Sequence, residues 1–371
     1  VTFGDHRLII GIDNLSKKFE SKQWADAENP ASPYQPDYLN SATGVYLQAN
    51  LNLFEDKLNA SLGLRYDNIA FKLFKTELIE SEDASENYNQ LNPNFGIQYK
   101  IMNGLKIHGA IGRAFITPDA FKVAGNYTTD GFYATNYKGN PDLKPESSVT
   151  YDFGLAYNNR KLGIDADITY FNTDFKDKVE YDFSNPEFVS FMNATKANMN
   201  GLEIEFAYDL GALNNYAYSL KFYLDYTHLY NADVIIDGPT GTIEEQLKYV
   251  RLNKAAFGIM FNSRKGLTTR INARYIGERN EDNWLYNADW TTWERIPYLT
   301  TDGEEIRPTL INEDVLKHPD YLILDLSASY TIKEKYTIGF SIDNLLDDNY
   351  MEKDAYYMPG RSIMGSFSIK F

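Results

Sequence analysis

The sequence predicts an all-β fold: an antiparallel meander of about fourteen strands that forms a transmembrane β-barrel, or most of one. Three observations lead there. Apolar and polar residues alternate over runs of roughly ten residues, the length a tilted membrane strand needs and longer than a globular strand. The polar positions of those runs carry Arg, Asp and Glu in mid-strand, which suits a wet lumen rather than a dry core. Connections alternate along the chain between long, aromatic-rich loops and tight turns, whereas a soluble sandwich spreads its loops over both ends.

In chain order, Val45, Leu47, Ala49, Leu51 and Leu53 oppose Tyr46, Gln48, Asn50 and Asn52. After the turn Phe54-Glu55-Asp56-Lys57, Leu58, Ala60, Leu62, Leu64 and Tyr66 oppose Asn59, Ser61, Gly63, Arg65 and Asp67. A side-chain period of two makes each of these a two-faced strand. Met102-Asn103-Gly104 turns the chain into a strand with Lys106 and His108 on its lumenal face. Asn158-Asn159-Arg160-Lys161 reads as the next turn, before Leu162, Ile164, Ala166, Ile168 and Tyr170, which oppose Gly163, Asp165, Asp167 and Thr169. Leu202, Ile204, Phe206 and Tyr208 then oppose Glu203 and Glu205. Beyond the turn Ser263-Arg264-Lys265-Gly266, Leu267, Ile271, Ala273 and Tyr275 oppose Arg270, Asn272 and Arg274. Leu322, Leu324, Leu326, Ala328 and Tyr330 oppose Asp325, Ser327 and Ser329. Lys333-Glu334-Lys335 makes the last turn, and the final strand sets Ile363, Gly365, Phe367, Ile369 and Phe371 on one face.

Leu62, Ile164, Ile204, Ile271 and Leu324 are therefore expected to face lipid, and Arg65, Asp165, Glu203, Arg270 and Asp325 the lumen. An even number of strands, with short turns on the side of both chain ends, puts the termini in the periplasm and the long loops outside.

Composition sets the remaining bounds. The mean hydropathy of -0.46 belongs with water-soluble chains, and no run of about 18 apolar residues could cross a bilayer as a helix. A barrel escapes that test because only alternate residues face lipid. Tyr at 29 and Phe at 22 are high counts, and tyrosine suits a membrane-water girdle, with an apolar ring and a wet hydroxyl. A formal charge of -16 argues against a nucleic-acid partner. Zero cysteines exclude disulfides and thiolate metal sites. There is no phosphate-cradling glycine loop, no nucleophile-histidine-carboxylate spacing and no cofactor motif. The acidic runs Glu82-Asp83-Ala84-Ser85-Glu86 and Asp302-Gly303-Glu304-Glu305 lack the spacing of a calcium loop and read as solvated charge.

Three stretches are more specific. Leu91-Asn92-Pro93-Asn94-Phe95-Gly96 leads through Gly112-Arg113-Ala114-Phe115 to Gly139-Asn140-Pro141-Asp142-Leu143-Lys144-Pro145-Glu146. Asn198-Met199-Asn200-Gly201-Leu202-Glu203-Ile204-Glu205 follows, and then Ile342-Asp343-Asn344-Leu345-Leu346-Asp347-Asp348-Asn349-Tyr350 with Pro359-Gly360-Arg361. In this order the stretches resemble the C-terminal barrel of TonB-dependent outer-membrane receptors. The bland reading of the same residues is architectural: Pro141 and Pro145 rigidify a re-entry into a strand, and Asn344 opens a loop.

The resemblance implies a 22-stranded outer-membrane barrel filled by an N-terminal plug, with a coupling segment that the TonB complex pulls. Residues 1–371 read as barrel alone, starting in mid-barrel, with neither plug nor coupling segment. The expected partners are a scarce small ligand, outer-membrane lipid and lipopolysaccharide. A self-contained passive porin of about fourteen strands is the competing transport reading. A barrel enzyme, with His108 or His228 as base, is the other class and needs a Ser or Asp partner at the same depth.

The candidate ligand-binding residues lie in two loops. Tyr127, Phe132, Tyr133 and Tyr137 surround Gly125 and Gly131, and Trp284, Tyr286, Trp290, Trp293 and Arg295 lie in the longest loop, with Tyr298 and Arg307. Aromatic faces with a few cations suit a flat anionic ligand such as a catecholate. Self-packing of the loops would use the same residues. Haem-importing relatives are expected to carry a histidine between Ala114 and Gly139, and none is there. That favours an iron-siderophore over haem, although His228 or His318 could substitute as a haem ligand, and a cobalamin receptor of the same family is a further alternative.

Overall fold

Period-two alternation produces fourteen long strands in a computed structural model. The structure describes residues 2–3, 6–33, 35–78, 83–128, 136–193, 196–238, 241–282, 298–299, 305–306, 309–311, 315–353 and 356–371. The strands are β1 (His6–Phe19), β2 (Tyr38–Leu53), β3 (Leu58–Leu73), β4 (Ala84–Met102), β5 (Leu105–Ile116), β6 (Glu146–Asn159) and β7 (Ile164–Lys176). They continue as β8 (Lys196–Asp209), β9 (Tyr218–Gly238), β10 (Asn253–Ser263), β11 (Leu267–Ile276), β12 (Tyr321–Ile332), β13 (Tyr336–Asp343) and β14 (Ser362–Ile369). Each pairs antiparallel with its sequence neighbours, so the sheet is an uninterrupted meander. Among the described residues no pairing joins β1 to β14, so the sheet is not closed. A self-closing barrel of fourteen strands, the porin alternative, is not the arrangement found.

Cross-strand register runs the apolar residues into continuous rows. Ile107, Leu155, Ile168, Ile204 and Tyr226 are successive partners across β5 to β9. Phe206, Leu224, Phe257, Ala273 and Leu324 do the same across β8 to β12. Leu62 and Ile271 stand exposed on this apolar face, and Ile164 shares its parity. Arg65, Asp165, Glu203, Arg270 and Asp325 have the opposite parity. Ile164 is the first residue of β7, beside the turn, so Ile168 rather than Ile164 marks the middle of the apolar band. Phe371 lies beyond the last residue of β14 rather than within the strand.

The short-turn end reverses the chain through left-handed backbone, at non-glycine residues as well as at glycines. Phe54, Glu55 and Asp56 all have positive φ, Gly104 closes the Asn103-Gly104 hairpin at φ 84°, and Lys333 and Glu334 turn at 51° and 56°. One turn differs from expectation. Asn158 and Asn159 stay in the ladder opposite Asp165 and Ile164, and the reversal falls on Arg160–Gly163, leaving Leu162 exposed in the turn. The ladder continues until a glycine can reverse it: Gly163 has φ 73° and its carbonyl accepts from Asp209 N at 2.8 Å. A Cβ there would lie 2.2 Å from the Asp209 carbonyl oxygen. Gly163→Ala is expected to destabilise the fold by at least about 1–2 kcal/mol, read as a shifted midpoint when the whole protein refolds in lipid. An unchanged midpoint would mean that the turn relaxes freely.

Candidate functional site: the long-loop rim

All the long connections leave the same end of the sheet. Within the 117–145 connection, residues 120–123 fold back onto the lumenal side of β3. Asp119 caps a short helix, α1 (Ala120–Ala124), by accepting from Lys122 N at 2.9 Å, and Ala120 and Val123 then pack on Phe71 and Leu73. Asn126–Thr128 and Asn136–Lys138 form a hairpin in which Tyr127 and Tyr137 are direct partners. Phe132 and Tyr133 lie outside the described residues, as do Trp284, Tyr286, Trp290, Trp293 and Arg295. Of the candidate residues, Tyr137 alone has a described side chain, half-buried and 6.1 Å from the Phe121 ring.

Tyr137 belongs to a ladder of rings that spans two connections. Phe121 meets Phe191 edge-on at 5.5 Å, Phe191 meets Tyr181 at 5.3 Å, and Tyr181 meets Phe183 at 6.0 Å. Tyr181 and Phe183 are 51% and 72% exposed, so the ladder runs from a buried base to an open end. Polar clips lock the two connections together. Asn140 Nδ2 donates to the Phe191 carbonyl at 2.8 Å, and Asn193 accepts from Lys144 N at 2.9 Å and donates to the Lys144 carbonyl at 3.1 Å. Lys138 N donates to the Val189 carbonyl at 2.9 Å. Sequence reasoning missed Tyr181, Phe183 and Phe191; their alternation with polar residues in a loop resembled that of any strand.

A second cluster sits at the root of the longest connection. Arg279 binds Glu281 through Nε at 2.7 Å and Nη2 at 2.5 Å, and donates to the Glu352 carbonyl at 2.5 Å. Tyr249 and Lys248 both reach Asp282, at 3.0 and 2.6 Å. Arg251 is buried, with its guanidinium 5.3 Å from the Tyr321 ring centre. Burial pushes both the Arg251 guanidinium and the His318 imidazole below their ordinary pKa values; the nearby Arg279 adds to the first, and Glu281 partly opposes the second.

The four histidines are accounted for individually. His6 Nδ1 accepts from Asn52 N at 3.2 Å, and His228 Nδ1 contacts Asn253 Oδ1 at 2.8 Å between the rings of Tyr226 and Tyr230. His318 is fully buried, which removes it as a surface haem ligand. His108 reaches over Gly154 to Asp167 at 3.0 Å, and the Thr169 hydroxyl donates to that same carboxylate rather than to the imidazole. The Asp partner that the enzyme reading needs is thus present, but among the described residues no hydroxyl is hydrogen-bonded to the His108 imidazole.

The rest of the polar face is a set of ion-pair networks. Arg65 grips Asp13 at 2.8 and 3.0 Å and Asp67 at 2.8 Å. Asp165, Asp167, Glu205 and Asp225, with Lys221 and Arg270, line a recess of about 310 Å3. Such a surface is stable only against water or polar protein.

The family described as "TonB dependent receptor-like, beta-barrel" matches residues 2–345. The chain belongs to the TonB-dependent receptor family. The ferric enterobactin receptor of Pseudomonas aeruginosa is 21% identical over 315 residues, covering 76% of this chain and 38% of that protein. The heme/hemopexin utilization protein C of Haemophilus influenzae is 26% identical over 226 residues, covering 54% of this chain and 30% of that protein. Among solved structures the copper transporter OprC superposes with a TM-score of 0.70 at 15% identity, covering all of this chain and 54% of that one. The chain thus spans well under half the length of these curated relatives and about half that of the solved structure. The family is one of bacterial outer-membrane receptors and transporters, not enzymes.

The motif residues of this TonB-dependent barrel act as joints. Arg113 donates to the Leu91 carbonyl at 2.7 Å and to Gln90 at 2.9 Å, where β4 and β5 part. Asn344, in left-handed backbone at φ 52°, exchanges hydrogen bonds with the Asp348 backbone at 2.8 and 3.0 Å. Asp347 accepts from the Arg361 backbone and side chain at 2.7 and 3.1 Å, joining Asp347-Asp348 to Pro359-Gly360-Arg361.

Proposed function

We propose that this chain is the larger part of the barrel of a TonB-dependent transporter that captures a ferric siderophore outside the cell. The supporting observation is the ring ladder from Tyr137 to the exposed Tyr181 and Phe183, set on two clipped connections. A rigid aromatic base presents stacking surface at small entropic cost, which suits a flat anionic chelate. Tyr127, Phe132, Tyr133 and Tyr137 would contribute from one connection, and Trp284, Tyr286, Trp290, Trp293 and Arg295 from the other, by stacking and cation-π contact. The absence of histidine between Ala114 and Gly139 and the burial of His318 weigh against haem.

In this reading the apolar face lies in outer-membrane lipid and the long-loop rim meets lipopolysaccharide. The polar face lines a passage that a plug, held elsewhere in the whole protein and pulled by the TonB complex, would open. The test is ligand titration of the intact receptor after Trp290→Ala and Tyr133→Ala together. A loss of about tenfold or more in affinity for a ferric catecholate is expected from two lost aromatic contacts. Unchanged affinity for every ferric chelate tried, alongside tight haem binding that His228→Ala abolishes, overturns the assignment.

A further inference from the structure

One guanidinium holds both legs of the longest connection at their roots. Gly277 directly follows β11 and Pro319 lies just before β12, and Arg251 Nη1 donates to both carbonyls, the second at 3.2 Å. Arg251 Nη2 lies 3.2 Å from His318 Nδ1, and His318 is fully buried. An imidazole nitrogen can meet a guanidinium N–H only as an acceptor, so where Arg251 donates to it His318 is neutral and carries its proton on Nε2.

Protonation removes that acceptor. The new Nδ1–H has the Pro319 carbonyl at 3.1 Å, the same oxygen that Arg251 uses. The imidazolium then sets an N–H donor against the Arg251 N–H that the ring had accepted and adds positive charge beside two guanidiniums, Arg251 and Arg279, which its own bond to the Pro319 carbonyl only partly offsets. Glu281 pulls the other way, but its carboxylate is already shared with Arg279. The remaining charges nearby are engaged elsewhere: Lys317 with Glu278 at 2.8 Å, Asp320 with the Tyr275 hydroxyl at 3.0 Å, and Asp282 with Lys248 and Tyr249.

We propose that Arg251 and His318 form a pH-sensitive clamp at the long-loop rim, in which Arg251 positions the legs Arg279–Asp282 and Val315–His318 and protonation of His318 loosens them. Burial holds the folded imidazole below its ordinary value of about 6.5, so the gripping form is complete above that pH. Its contribution is lost as pH falls below about 6.5, because the loosened state binds the proton more readily. The clamp goes beyond the ligand assignment. Only its consequence for capture, weaker binding in acid, rests on that reading.

Hydrogen exchange of the two legs tests it in the intact receptor, at about pH 7.5 and about pH 5, corrected for intrinsic exchange. Leg protection should fall about tenfold on acidification, while β6 and β7 stay protected. In His318→Gln, whose amide oxygen can accept from Arg251 at either pH, the acid loss should vanish. Arg251→Lys, which cannot span both carbonyls and the imidazole, should leave the legs weakly protected at both pH values. Equal leg protection of the unmodified receptor at the two pH values overturns the clamp without any variant, as does an undiminished acid loss in His318→Gln. No ligand is used, so an incorrect ligand assignment would leave this result untouched.

Discussion

An arginine in place of Ile168 is expected to destabilise the folded barrel by about 2–4 kcal/mol. Ile168 sits in the middle of the apolar row, between Leu155 and Ile204, and is 44% exposed on that face. In lipid the guanidinium would have no polar partner within the row and would have to reach an interface. Ile164→Arg, of the same parity but beside the turn, should cost only about 0–1 kcal/mol, because the penalty falls with distance from the midplane. Urea-dependent folding of the whole receptor into lipid vesicles measures both. Equal penalties at the two positions would show that the band is centred elsewhere, and no penalty at either would remove this face from lipid.

Removing the Glu281 carboxylate should have an effect of similar size. Glu281 is 1% exposed and takes two hydrogen bonds from Arg279, whose side chain is 14% exposed. Glu281→Ala leaves that guanidinium buried and uncompensated, a change that typically costs about 3–5 kcal/mol. The loss should appear locally, as faster exchange in Arg279–Asp282 and in the paired Val315–His318, before any global transition moves. Replacing both partners with apolar residues of similar volume should recover most of it, since a buried pair owes much of its apparent strength to the penalty of breaking it. A loss below about 1 kcal/mol in Glu281→Ala would mean that water reaches Arg279.

The barrel was legible because its physics is local and repetitive. Alternation such as Leu58 to Tyr66 against Asn59 to Asp67 assigns each side chain to a face with no knowledge of any partner strand. Short turns announce themselves through residues that reverse the chain at low cost, as Asn103-Gly104 does. The turn expected at Asn158 shows the limit. Asn158 and Asn159 stay in register with Asp165 and Ile164, and Asn159 starts the reversal from the end of the ladder by accepting from Lys161 N and Leu162 N at 3.1 and 3.2 Å, so the turn falls later than the asparagine pair alone suggests.

The sequence by itself determined the two-faced strands, their alternating connections and the outer-membrane family, because period, loop length and motif order lie along the chain. Only the tertiary structure decided how the rim is held. Arg251 is one arginine in a polar connection, and two of its partners are the carbonyls of Gly277 and Pro319, which any residue would carry. His318 read as a rim histidine open to solvent or ligand, yet it is fully buried, with Arg251 of another connection 3.2 Å from its ring. Asn140 and Asn193 clip two connections through backbone atoms about fifty residues away. Side chain to backbone bonds between distant segments leave no pattern in a sequence, because the acceptor has no side-chain identity and its position exists only once the sheet has brought the strand ends together.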